Sequence, residues 1–582
     1  MRRTIGWVGL GLLAQCGGSD RPIPFDPFAR DSGPPIPAEV CTLAGVSCDG
    51  QTPYRCVGGS RQPLDPCGGD RPFCVTGLCV ACPPAAVRCS PLDPAQPERC
   101  RDDGSGWVSL PACNAAARER CTDGRCGDPC AVPDGARGYL GCEYWATQTP
   151  NSQLDASFPF AVALANPQSF EVSVRISGGG LSTPLTETLG PGAVRAVRLP
   201  WVRALVQTSA QNQGCLEGNR CPGYPPARSA TVVGGAYHIE ATAPVGAYQF
   251  NPLTFERDGS YHSYTNDASL LLSRRALTQR YLVLTAPNWT PAPGVTLGGF
   301  LAVTAVQGET TSVTVTLPRN AGVPGETETV QRDNLTPGDV FVLVGGTAGD
   351  LSGALVEASA PVAVFAGHDC TNVPQGRAAC DHLEEQVPPM ETLGRDFVVT
   401  PLVDRPNNPT VVRVVSPFAG ATLRFDPPSV RPAVALGARE VLQFETTRAF
   451  RMSSSRPVLV AQFMTGQGTD ALSGAGDPAM VYEVPSQQFR DRYDLFVPDT
   501  YTRSFLGVVV PRGSRALLDG TPLAGDRTTV GPWDILSAPV PAGAHQLRTA
   551  EGVPLGVKVY GTARFTSYMY PGGLDLQLLP PG

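Results

Sequence analysis

Cysteine placement constrains this chain more than any other feature. Fourteen of its 19 cysteines fall between Cys41 and Cys142. Twelve of these divide into two sets of six: Cys41, Cys48, Cys56, Cys67, Cys74, Cys79, then Cys82, Cys89, Cys100, Cys113, Cys121, Cys126. The gaps run 7, 8, 11, 7, 5 and then 7, 11, 13, 8, 5, which reads as a duplicated module. Segments this short bury too little apolar surface to hold together without cross-links. Cys130 and Cys142 remain as a closing pair. Spacing alone does not choose among the connectivities of six cysteines. Zinc is the competing use, but the segment has no His, and Cys79-x-x-Cys82 lacks a partner at metal-ligand spacing.

Disulfides imply export, and the N-terminus agrees. Arg2 and Arg3 precede a short apolar stretch over residues 5–14, the pattern of a secretory signal. It ends in Leu13-Ala14-Gln15-Cys16, which resembles the lipobox of bacterial lipoproteins, with Gln15 where a small residue is usual. Cys16 is then the lipidation site; an ordinary cleaved signal is the alternative. Setting Cys16 aside leaves 18 cysteines, an even number. A Pro-rich tether follows over residues 17–40. The expected location is the outer membrane as a lipoprotein on the cell surface, or otherwise secretion. No apolar run reaches the roughly 18–20 residues of a spanning helix. The net charge of −7 leaves no basic footprint for nucleic acid. Lys558 is the only lysine among 45 basic residues, which reads as coding bias rather than chemistry.

Beyond Tyr144 the texture changes to short alternating stretches such as Phe170, Val172, Val174, Ile176. Gly and Pro, 64 and 59 residues, punctuate the chain as turns between short strands do. A long repeat is visible. Pro244, Pro361, Pro457 and Pro554 each open an apolar stretch, spaced 117, 96 and 97 residues apart. Proline is tolerated at the first residue of a strand. Asp267, Asp381 and Asp477 follow in the same register, as do Tyr281, Phe397 and Tyr493. The expected fold is all-β: tandem β-sandwich-like modules of about 100 residues after a disulfide-rich, loop-rich segment. The expected segments are 41–80 and 81–142 for the Cys-rich modules, then 143–280, 281–396, 397–492 and 493–582 for four β-modules. A propeller-like closed array is the alternative.

Little of the chain reads as catalytic. It contains no GxSxG, Walker A, HExxH or helix-opening GxGxxG pattern, and no catalytic residue or cofactor is assigned. The notable cluster is Gly367-His368-Asp369-Cys370 with Cys380-Asp381-His382. His368, Asp369, Asp381 and His382 could serve as metal ligands. The plainer reading is a loop stapled by Cys370 and Cys380, stabilised by about 2.5–3 kcal/mol, with no metal. Cys215 and Cys221 would close a second loop.

The run Gly367-His-Asp-Cys-Thr-Asn-Val-Pro-Gln-Gly and Cys380-Asp-His-Leu-Glu-Glu-Gln-Val-Pro-Pro389 resembles the IgGFc-binding protein N-terminal domain family. Tyr248-Gln-Phe-Asn-Pro252 and Ser263–Leu271 resemble its preceding module, and Leu393-Gly394 stands where the family tends to have Trp-Gly. The resemblance covers roughly residues 143–582. The duplicated Cys-rich segment resembles modules in lipoproteins of myxobacteria-like organisms. The resemblance implies a non-catalytic surface protein for binding or adhesion, with an extracellular protein or glycan as partner. An exported hydrolase acting on a surface polymer is the alternative.

Overall fold

The computed structural model describes residues 45–580, except 59, 94, 115–118, 123, 132–136, 156, 208–225, 260, 327, 404–407 and 468–474. Cys16, Cys215 and Cys221 lie outside the described residues. The chain forms two compact units, one of residues 1–112 with 123–125 and one of 113–122 with 126–582. Among the described residues no helix is long and apolar enough to cross a membrane.

The first unit is built from very short antiparallel strands. Val46–Asp49, Thr52–Val57 and Ser60–Pro63 form one three-stranded meander; Val87–Cys89, Pro97–Cys100 and Trp107–Ser109 form another. Its described buried positions are Cys67, Cys82, Cys100, Pro53, Pro97, Gly77, Gly104 and Gly124; no Val, Leu, Ile or Phe is among them. Leu78 and Leu92 are exposed instead. The bridges Cys48–Cys74, Cys67–Cys79 and Cys82–Cys100 take the place of an apolar core. Both sets of six pair their fourth cysteine with their sixth, Cys67–Cys79 and Cys113–Cys126. The duplication extends to glycine. Gly77 and Gly124 each stand two residues before the sixth cysteine, and their N–H groups donate to Cys48 Sγ and Cys89 Sγ. A Cβ at Gly77 would lie 2.3 Å from Val46 Cβ, and one at Gly124 2.6 Å from the Arg88 nitrogen, so no larger residue fits either turn.

The second unit contains four pairs of sheets. The third pair shows the plan. Asp396–Val399, Thr410–Val415, Ala421–Asp426, Val434–Leu436, Val441–Thr446, Phe450–Ser454, Leu459–Phe463 and Met480–Tyr482 are its first to eighth strands. Strands one, six, three and four pair in that order, as do five, two, seven and eight. The same two orders recur in the other three pairs of sheets. The fourth adds an edge strand, Asp526–Val530, and the second borrows Ala230–Val232 onto its fifth strand. Each pair packs as a sandwich: in the third, Leu423, Phe425 and Met452 of one sheet meet Val412, Val414 and Val460 of the other, while the apolar residues of the first and fourth merge into one cluster. Among the described residues no closed propeller forms: a propeller blade is a single four-stranded sheet, and here the sheets pack in pairs.

The two sheets of each sandwich read differently in sequence, for a physical reason. A sheet with one solvated face alternates, and one covered on both faces reads as an apolar run. Ala421–Asp426 alternates buried and not, residue by residue. Thr410–Val415 and Leu459–Phe463 are buried throughout. The side chains pointing out of that second sheet, among them Val411, Leu459 and Phe463, join the core of the preceding sandwich. Arg413 points the same way and is held by Asp350 and by Ser352 Oγ at 2.8 Å. Tyr248 and Phe250 of the first sandwich pack on Tyr570 and Phe496 of the fourth, with ring centroids 5.0 and 5.8 Å apart.

The repeated prolines mark the corner between sixth and seventh strands, where the chain changes sheet. Pro361, Pro457 and Pro554 fall between those strands. Pro244 departs from the expectation that each proline begins a strand. There the two strands are fused into one, Tyr237–Asn251, whose first half pairs in one sheet and second half in the other. The tyrosine anchor explains the corner. Tyr281 Oη donates to Val362 O at 2.6 Å and Tyr493 Oη to Leu555 O at 2.7 Å, in each case the carbonyl just after the proline. Tyr144 does the same for Val245 O at 2.5 Å. Phe397 occupies this position in the third sandwich.

Candidate functional site

The eighth strands of the four sandwiches are Asp267–Leu270, Asp381–Gln386, Met480–Tyr482 and Thr566–Pro571. Each touches the next, and the fourth touches the first. The repeated aspartates stand at or just before these strands and therefore converge. Asp267 Oδ2 accepts from Glu384 N at 3.1 Å and Met480 N at 3.2 Å, so one carboxylate ties three sandwiches together. Asp381 Oδ1 accepts from His382 N at 2.7 Å, and its Oδ2 faces Thr566 Oγ1 at 3.4 Å. Asp477 N donates to Ser567 Oγ at 2.9 Å.

The motif Asp381–Gln386 supplies most of the remaining polar contacts. Glu384 Oε2 accepts from Thr149 Oγ1 at 2.6 Å, and Oε1 from Gln249 Nε2 at 3.1 Å. Glu385 Oε1 accepts from Ser269 Oγ at 2.7 Å and Leu270 N at 3.1 Å. His382 Nε2 lies 3.1 Å from Thr149 Oγ1 and 3.2 Å from Asn251 Nδ2, with its ring stacked on Phe300. Asp369 accepts from both Ser152 N and Ser152 Oγ, at 2.6 and 2.7 Å. All these side chains are buried.

Burial sets their chemistry. It pushes the carboxyls of Asp267 and Glu385 well above the usual range. For Asp381, burial is joined by the neighbouring carboxylates of Asp477 and Asp267. The His368 imidazole is pushed down to about 3, chiefly by burial. Burial thus favours the uncharged form of each group, and the carboxyls of Asp267, Asp381 and Glu385 keep their hydrogen bonds between sandwiches without the full cost of a buried charge. The candidate metal residues His368, Asp369, Asp381 and His382 are not assembled into a ligand set. Among the described residues, no group of three or more His, Cys, Asp or Glu could hold a metal ion.

What faces outward is the set of loops between seventh and eighth strands. Because the eighth strands meet at their starts, these loops gather at one end of the unit. In the first sandwich the loop carries a small hairpin whose residues Glu256, Arg257 and Asp258 are exposed. In the second it is the Cys370–Cys380 loop, closed by a disulfide and exposing Gln375, Gly376 and Ala378. Gln375 Nε2 holds the loop to the Asn288 carbonyl at 2.9 Å, and Cys370 and Cys380 pack on Trp289 and Leu297. In the fourth it is a tight turn with Arg564 exposed and Phe565 at φ 64°. Cys130 and Cys142, also bonded, lie away from this set near Arg275 and Glu143.

Sequence reasoning singled out the aspartates and the His-Asp pairs. It quoted Glu384 and Glu385 only inside the run that carries the family resemblance and gave them no role, and it did not count Tyr144 among the tyrosine anchors. Tyr144 was findable, since it is a tyrosine upstream of a repeated proline as Tyr281 and Tyr493 are. The residue pattern gave the glutamates no role, because a charged pair in sequence ordinarily means an exposed strand.

A family model described as IgGFc binding protein matches residues 267–561, half of the chain. The match is narrower than the resemblance over 143–582 and begins at the first eighth strand. The human protein named IgGFc-binding protein is 30% identical over 220 residues. That alignment spans 37% of this chain and 4% of the human protein, so the chain meets a small part of that relative's length.

Proposed function

The chain belongs to the IgGFc-binding protein family, and from that premise we propose that it is a non-catalytic extracellular binding protein that engages a protein or glycan through the loops between seventh and eighth strands. One observation carries the reading: the motif residues are spent on the buried junction of the four sandwiches, while the described loops of the first, second and fourth sandwiches differ from one another and expose polar side chains at one end. Ligand-contacting residues are typically held on loops by a rigid scaffold. Carboxyls held in a closed interior have no access to a substrate polymer, which disfavours the hydrolase. The family's name describes what the human relative binds, and immunoglobulin is one ligand to test rather than a conclusion.

We propose further that Cys16 carries a lipid anchor, that Cys215 and Cys221 close a loop, and that the units from residue 143 onward divide as four modules. The full chain should be assayed on immobilised Fc, on surface extracts and on a glycan array. Replacing Arg257, Gln375 and Arg564 together by alanine should weaken any saturable binding at least tenfold, while Arg175→Ala, on an outer sheet face, leaves it unchanged. Equal binding by both variants would remove the loops from the reading. Cys16→Ala should release the protein from membranes, since acyl chains contribute about 0.8 kcal/mol per buried methylene; retention in membranes at high salt would remove the anchor.

A further inference from the structure

The only lysine in the sequence, Lys558, is 5% exposed and lies in the seventh strand of the fourth sandwich. A chain that uses arginine everywhere else has placed its single primary side-chain amine in the interior. Its neighbours come from the third sandwich. Nζ donates to Oε1 of Gln462, in the seventh strand there, and lies 2.8 Å from Glu483 Oε1, just past the eighth. Gln462 is fully buried, and the side chains of Lys558 and Glu483 are 6% and 8% exposed. Val398, Val481, Val509, Val557 and Phe489 line the surrounding space. Gly507 leaves room beside the lysine stem: a Cβ there would stand 2.6 Å from Thr400 Oγ1 and 3.7 Å from Lys558 Cε.

We propose that this triad forms an intramolecular amide between Lys558 Nζ and Gln462 Cδ, joining the third and fourth sandwiches covalently. A primary amine is a competent nucleophile once it has shed its proton, and Glu483 is placed to take it. The amine then attacks Cδ, forming the N–C bond. The Gln462 amide nitrogen, held by Thr400 O at 3.0 Å, receives a proton from Glu483. The attacking nitrogen's second proton also passes through Glu483 to the departing nitrogen, so the bond from Cδ to that nitrogen breaks and ammonium leaves. No oxidant or cofactor enters, Glu483 ends ionised as it began, and the chain's mass has fallen by one ammonia. The dry, fixed setting supplies proximity and keeps water from competing for Cδ. Glu483 acts on the reacting nitrogen and is in that sense catalytic; the reaction turns over once.

The sequence makes the test clean, because a lysine-specific endoprotease has Lys558 as its one side chain to recognise. The full-length chain, reduced and denatured, is digested and its intact mass measured. The expected result is resistance to cleavage, a mass lower by one ammonia, and a branched peptide joining the Gln462 and Lys558 segments. Glu483→Gln should restore both cleavage and the full mass. Cleavage of the wild-type chain at Lys558 with the full mass would overturn the proposal without recourse to any variant. A Glu483→Gln chain that is still cross-linked would overturn the assignment of Glu483 as proton carrier.

Discussion

The two units solve the same problem by opposite means. In the first, the buried residues are half-cystines, prolines and glycines, and cross-links limit the unfolded chain where a core would otherwise stabilise the folded one. In the second, aliphatic and aromatic side chains fill two-sheet cores and the spaces between sandwiches, and one of its disulfides, Cys370–Cys380, closes a surface loop. The contrast shows that a disulfide's importance follows from what else is buried around it. The same bond is a substitute for a core in one unit and a fixture on a finished core in the other.

The sharpest way to break the comparison is reduction. Thiol reductant should unfold residues 45–112 entirely, with loss of amide protection throughout. Protection in the second-unit sheets should persist, with a local loss of about 2.5–3 kcal/mol around the Cys370–Cys380 loop. Protected amides remaining in the first unit would mean that a core is present after all. Truncation is the converse test. Phe250→Ala should cost about 3–5 kcal/mol in denaturant melts of the second unit and leave the first unit's proteolytic pattern unchanged.

Protonation should divide the units more finely. Asp267, Asp381 and Glu385 have native-state affinities for protons raised by burial, so between about pH 4, the unfolded value, and their raised values the native state holds more protons. Their contribution is then complete below about pH 4 and is lost as pH rises through the raised values. The melting temperature of the second unit should fall as pH climbs from acid to alkaline, and Asp267→Asn should flatten the slope. A melting temperature that rises with pH through this window would show that these carboxyls ionise without penalty. In the first unit, the Asp103 carboxyl is held low by Ser105 and is fully exposed, so no comparable slope is expected there. The smallest effect concerns the corners. Tyr493→Phe should cost about 0.5–1.5 kcal/mol by thermal melting, because the third sandwich already works with Phe397; a loss of several kcal/mol would mean the tyrosine does more than bond Leu555 O.

Much of the architecture is local and was legible. The spacing of Pro361, Pro457 and Pro554, the alternation of strands such as Ala421–Asp426, and the six-cysteine sets depend on neighbours in the chain, and each leaves a period in the sequence. The all-β class and the disulfide-rich start follow from them. The junction of the eighth strands did not, and neither did the lysine's surroundings. Asp267, Asp381 and Asp477 read as three equivalent positions, but no period says that they stand together, nor that they are buried. Lys558 read as an accident of composition until Gln462 and Glu483, 96 and 75 residues away, were found against it. Contacts at such separations are decided by which sandwich faces meet when the chain closes on itself. That choice is made by the summed burial of whole sheets, and a residue's proton affinity or reactivity follows from the resulting surroundings rather than from its place in the chain.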